Sequence, residues 1–331
     1  TTRGGTPAAP PAEVRVPAQL QWRGLEAGVA TRGATRGFLG DVLLAAIDVV
    51  TDRVRDPAAD FVASQVVQRV DAQVDAGVYR LQPETLASLK GTGGALAQLD
   101  AVDAPQLVFV HGTFSNTAGT FGKLWTEHPQ RVRALFEHYR GQVHALDHPT
   151  LGASPIDNAL MLARACPPGA RLHLVTHSRG GLVAEVLARA CGDPQAAAAA
   201  AEHFAGAAYR AQRDALAALA EVARTRRLRV ERIVRVACPA RGTLLASRRL
   251  DAYLSVFQWT LQLAGIPVAP ALVDFLGEVA QRRADPALIP GLAAQIPDSP
   301  LVRWLHALDA PLPGELRVVA GDIEGDSVVS W

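Results

Sequence analysis

Leu172-His173-Leu174-Val175-Thr176-His177-Ser178-Arg179-Gly180-Gly181-Leu182-Val183 decides the fold. An apolar, partly β-branched run ends in a serine set among small residues, and a helix-forming pattern follows at once. A sharp strand-to-helix turn of this kind lifts a serine hydroxyl clear of the sheet edge. It also aims the next backbone N–H at the point where negative charge develops on an attacked carbonyl. The spacing is that of G-x-S-x-G, with Thr176 at the first glycine and Gly180 at the second. Threonine is small enough for the place, although β-branched. The plainer alternative is that Ser178 only caps the helix, a role that serine favours.

Upstream, Leu107-Val108-Phe109-Val110 runs into His111-Gly112-Thr113-Phe114-Ser115-Asn116-Thr117. Read alone, His111-Gly112 is an ordinary strand-ending turn; two such turns in this order carry more weight. Gln142-Val143-His144-Ala145-Leu146-Asp147 reads as a further strand, followed by a turn-rich loop over 148–154. The β-branched runs 231–238 and 315–322 read likewise. Strands separated by helix-length segments imply parallel pairing through crossover helices, hence an α/β class.

Together these motifs resemble the α/β-hydrolase superfamily in its lipase- and esterase-like branch. The strand entering His111-Gly112 is similar to that family's first oxyanion loop, and Cys238-Pro239-Ala240-Arg241-Gly242-Thr243 to a Pro-x-x-Gly-Thr element after a later strand. The resemblance spans about 78–331. It implies a mainly parallel sheet flanked by helices, with Ser178 as nucleophile and the Thr113 and Arg179 N–H groups as oxyanion hole. His111, Gly112, His177 and Gly180 are the supporting residues in this reading. Asp326, in Asp326-Ser327-Val328-Val329, is the candidate acid, with a residue beyond Trp331 as the alternative. The family order is nucleophile, acid, histidine. After Ser178 the histidines are His203 and His306, both before the last strand, so neither stands where the family places its base. The expectation is a domain truncated at its C-terminus, from a longer bacterial protein, whose histidine and perhaps acid follow Trp331. The implied reaction is cleavage of a carboxylic ester, lipid or other small acyl compound, through an acyl-enzyme. Amide or thioester cleavage uses the same oxyanion and stays open. The rival is a non-catalytic scaffold module among further domains of the same polypeptide.

The chain has 331 residues, enough for one large α/β domain and an added element. Hydrophobic residues make up 49% and charged residues 20%, a globular balance. A formal net charge of +1 gives no field that argues for nucleic acid or an anionic membrane. Lys90 and Lys123 stand among many arginines and alanines, which points to a GC-rich genome more than to a function. Cys166, Cys191 and Cys238 lack metal-ligand or disulfide-framework spacing and read as buried thiols of a reducing, cytoplasmic compartment. No metal or cofactor is implied. The most apolar stretch, 253–280, is broken by Gln258, Gln262, Pro267, Pro270, Asp274 and Glu278, so no transmembrane helix is expected.

Residues 1–16 read as a flexible leader, and helical stripes over 38–50 and 60–70 make 1–77 a helical extension. Gly181 to Cys191 is expected as the helix that follows Ser178, and 194–224 as one or two surface helices. Within the hydrolase-like part, 78–331, the segment 248–312 interrupts the strands as a helical, cap-like insertion. Its Phe257, Trp259, Leu261 and Phe275 suit an acyl-binding wall and ordinary core packing equally well.

Overall fold

The computed structural model describes residues 67–68, 70–242, 287, 289–307 and 311–319. The leader, the helix expected over 38–50, most of that over 60–70, most of the insertion and Asp326 lie outside the described residues.

The strands are β1 (Gly77–Arg80), β2 (Ala95–Leu96), β3 (Gln106–Val110), β4 (Val143–Asp147), β5 (Arg171–His177), β6 (Arg229–Val236) and β7 (Glu315–Val319). They form one sheet in the order β2-β1-β4-β3-β5-β6-β7. From β4 through β7 every pairing is parallel, while β1 runs antiparallel to both β2 and β4. Parallel neighbours need crossovers, and the intervening sequence supplies them. Helices α1 (Thr117–Glu127) and α2 (Pro129–His138) join β3 to β4, α3 (Pro155–Ala165) joins β4 to β5, and α4 (Gly180–Gly192), α5 (Pro194–Ala199) and α6 (Arg210–Arg226) join β5 to β6. Two short helices, α7 (Pro290–Ala293) and α8 (Pro300–Ala307), precede β7.

Every residue of β3 and β4 is buried, as expected for parallel strands covered on both faces. Val108 and Val110 point into a core with Ile156, Leu162, Leu182, Val186 and Leu216 from α3, α4 and α6. Leu107 and Phe109 point the other way, to Trp125, Val132 and Phe136 from α1 and α2. The result is an α/β protein with a mixed, mostly parallel sheet between helical layers. The one or two surface helices expected over 194–224 are α5 and α6, and α6 is amphipathic: Ala215, Leu216, Leu219, Ala220 and Ala223 turn into the core while Arg210, Asp214, Ala217, Glu221 and Arg224 stay exposed. Alanine's helix propensity is what the sequence displays; that these small side chains also let α6 lie close against its neighbours is a tertiary fact.

Helix starts that matter for the site are fixed locally. Asn116 Oδ1 accepts the Gly119 N–H at 2.7 Å to open α1. Ser154 and Asp157 form a reciprocal capping box at α3, with Pro155 in the first turn. Among the described residues no helix is long and apolar enough to cross a membrane.

Candidate active site

The chain leaves β3 toward β4 on one side and leaves β5 toward β6 on the other. Connections that diverge from adjacent parallel strands open a crevice at their carboxyl ends, the usual place for a ligand in a sheet of this kind. The His111-Gly112-Thr113 loop follows β3 and Ser178 follows β5, so the two motifs flank that crevice.

Ser178 stands between the end of β5 and the start of α4 with φ 50°, in the left-handed region. Its N–H donates to Val236 O at 2.8 Å, which pins the turn to the end of β6. Its hydroxyl has no hydrogen-bond partner among the described residues and is not sealed from solvent. Non-glycine residues at positive φ are costly, and they gather where function needs a particular backbone. Phe114 (φ 57°), Ser178 and Ala237 (φ 49°) follow β3, β5 and β6 at the same edge.

The close approach that small residues were expected to serve falls on Gly112 and Gly180. A Cβ on Gly112 would lie 2.8 Å from Ser178 Cβ and 3.2 Å from His177 O. One on Gly180 would lie 2.6 Å from His111 O and collide with Val110 O. Thr176, at the position where the pattern has its first glycine, is buried and bonds through Oγ1 to Val234 O at 3.2 Å. The Thr113 and Arg179 N–H groups donate to no acceptor among the described residues, so both donors of the expected oxyanion hole are uncommitted.

Behind the crevice the polar groups are tightly specified. His111 is fully buried, with Nδ1 2.9 Å from Gly112 O and Nε2 receiving the His148 N–H at 3.1 Å. One nitrogen facing a carbonyl and the other accepting an amide define the neutral Nδ1–H tautomer. Burial pulls its pKa below the usual range, against the Asp147 carboxylate. His148 stacks on it with ring centroids 4.0 Å apart, and burial holds its pKa well below the ordinary value. Asp147 accepts both the N–H and the hydroxyl of Thr117, tying the end of β4 to the start of α1. His177 is lowered by burial, and its Nδ1 is sealed without a partner.

Other histidines lie elsewhere. His173 meets Tyr139 Oη at 2.8 Å, near the amino end of β5. His306 is exposed on α8, with Nε2 3.1 Å from Ala240 O in the loop after β6. None of the nine histidines is hydrogen-bonded to Ser178 among the described residues. Burial pushes the Cys238 thiol up to about 12, so it is a packing group beside Gly181. No cluster of three or more His, Cys, Asp or Glu suited to a metal ion occurs among the described residues.

Sequence reasoning missed three residues that tie together the loops around Ser178. The Arg179 side chain is completely buried and donates to Ala153 O at 2.6 Å and Gly291 O at 3.3 Å. Gln295 reaches Thr113 Oγ1 at 3.2 Å. Asp71 accepts three successive amides from the loop after β4. Each acts across more than 70 residues of sequence or from an unremarkable local pattern, so no motif marks them.

Fold and loops thus define an α/β protein whose mostly parallel sheet carries a strained, partly exposed serine at the carboxyl end of its central strands. The chain belongs to the family described as Domain of unknown function (DUF7379), which it matches over residues 72–209 and 211–326. No curated protein matches it.

Proposed function

We propose that the chain is a serine hydrolase of the α/β-hydrolase type, acting on a carboxylic ester of a lipid or other small acyl compound. One observation carries the reading: Ser178 is held at φ 50° in the turn between β5 and α4, beside a loop whose Thr113 N–H, like that of Arg179, is uncommitted. In this reading Ser178 Oγ attacks the acyl carbon and its proton passes to a base. The two N–H groups stabilise the oxyanion, and the alkoxide departs as the alcohol to leave an acyl-serine that water then cleaves. The resemblance assigns the acid to Asp326 or a later residue and the base to a histidine after it. The absence of any histidine bonded to Ser178 among the described residues favours the rival, a non-catalytic module of the same fold.

A fluorophosphonate separates the two. It needs a serine whose proton a base can take, and an oxyanion hole: the Oγ–P bond forms as the base accepts the hydroxyl proton, the P–F bond breaks, and fluoride leaves with that proton. The expected result is a single phosphonyl adduct located on Ser178 by peptide mass spectrometry and lost in Ser178→Ala. Label that persists in Ser178→Ala, or no label on a polypeptide that continues past Trp331 to the base histidine, overturns the hydrolase reading in favour of the scaffold.

A further inference from the structure

The oxyanion loop is not held by the sheet alone. The Asp71 carboxylate accepts the N–H groups of Thr150 at 2.8 Å, Leu151 at 3.1 Å and Gly152 at 2.6 Å. Its fit is close enough that a Cβ on Gly152 would lie 2.8 Å from Asp71 Oδ2. Thr150, so fixed, accepts the Phe114 N–H on its Oγ1 at 3.2 Å. Phe114 is the left-handed residue directly after Thr113. From the opposite side, Gly291 N–H donates to Leu151 O at 2.9 Å, and Gln295 Nε2 spans Gly291 O at 3.0 Å and Thr113 Oγ1 at 3.2 Å. The Arg179 guanidinium bonds to both arms of this ring, through Ala153 O and Gly291 O.

We infer that Asp71 is a positioning residue for the oxyanion hole, holding Thr113 through Thr150 and Phe114; the inference rests on the hydrolase reading for its catalytic meaning. The chemistry requires a carboxylate. Two anionic oxygens take three amide donors, whereas an asparagine offers one oxygen and turns an NH2 group toward N–H groups. The negative charge also acts on the buried Arg179 guanidinium, whose pKa burial pulls down to about 10 against the charges of Asp71 and Asp157. A donor displaced by a fraction of an ångström loses much of its effect on an oxyanion, so the consequence should appear in the rate of attack and not in binding.

The test uses the full chain with Asp71→Asn, Thr150→Val and the double variant, read by two measurements. In saturable fluorophosphonate labelling, each single variant should lower the maximal rate by about tenfold or more with little change in half-saturating concentration. The double variant should be no slower than the worse single, because both act through one path. In hydrogen exchange, peptides covering 111–117 should exchange faster in both single variants while those of α4 do not change. Additive losses, or a loss confined to half-saturation, overturn the inference; so does unchanged exchange over 111–117, whether or not the parent is labelled. If a parent that continues past Trp331 to the base histidine is not labelled but exchange over 111–117 rises as expected, the loop coupling stands and the hydrolase reading is what fails. Thr150→Val leaves the carboxylate in place, so the question is still answered if Asp71→Asn does not fold.

Discussion

At the scale of single residues, Ser178 is a place where the fold gives up stability for geometry. Its φ of 50° costs a residue with a Cβ about 1 kcal/mol relative to glycine. Its hydroxyl returns no hydrogen bond among the described residues to offset this. Ser178→Gly should therefore raise the thermal midpoint, by about 2 °C for a domain of this size, while abolishing fluorophosphonate labelling. Ser178→Ala keeps the Cβ and with it the strain, so its midpoint should stay with the parent. Scanning calorimetry of the three proteins decides the matter: a glycine variant no more stable than the alanine variant would mean that the turn is unstrained. The strain lies in the backbone and the chemistry in the side chain, which is why the two substitutions separate them.

At the scale of elements, the approach of α4 to β3 governs the site, and it explains a departure from the familiar pattern. The glycine that G-x-S-x-G places before the serine is Thr176 here, and its buried hydroxyl bonds to β6. Restoring the pattern with Thr176→Gly should destabilise by about 1–2 kcal/mol, through lost packing and added backbone freedom in a strand. Gly180→Ala should cost more, about 3 kcal/mol or above, because its Cβ meets the backbone oxygens of Val110 and His111, which cannot rotate away. Urea unfolding of both variants gives the order, and an alanine at 180 that is tolerated better than a glycine at 176 would refute it. The central strands, the helix after Ser178 and the two loops flanking the crevice were legible because each is written in local sequence as an apolar run, a turn residue and a helical period. The β1–β2 pairing was not, since Ala95–Leu96 is two residues long and carries no period. Nor was the ring of Asp71, Thr150, Gln295 and the Arg179 side chain. Those contacts join residues whose local sequence reads as helix end, turn or cap, and only the folded chain brings them together.

At the scale of the whole molecule, the sheet encloses histidines that folding keeps from charging. His144, the second residue of β4, is buried with both ring nitrogens sealed from solvent, and burial lowers its pKa to about 4, the Arg80 charge adding to the effect. His111 and His148 are lowered by burial as well. An unfolded imidazole titrates near 6.5, so below that pH the unfolded chain binds protons that the folded chain refuses. Stability is then complete above about pH 6.5 and is lost as pH falls, by about 1.4 kcal/mol per unit for each such histidine until its folded pKa is reached. For His144 the window runs from about 6.5 to about 4. Carboxylates with lowered pKa, such as Glu231 beside Arg171, work in the same direction but only below the ordinary carboxylate range, which leaves pH 6.5 to 5 to the histidines. His144→Leu removes one titrating group and exchanges a buried imidazole, whose one polar contact is with the Leu107 backbone, for an apolar side chain of similar volume. Urea unfolding at pH 7.5, 6.5, 5.75 and 5 should show the variant at least as stable as the parent at pH 7.5. The difference should widen by about 2 kcal/mol between pH 6.5 and 5. Parallel curves for the two proteins would show that His144 charges as readily folded as unfolded, and that the sheet interior around it is open to water.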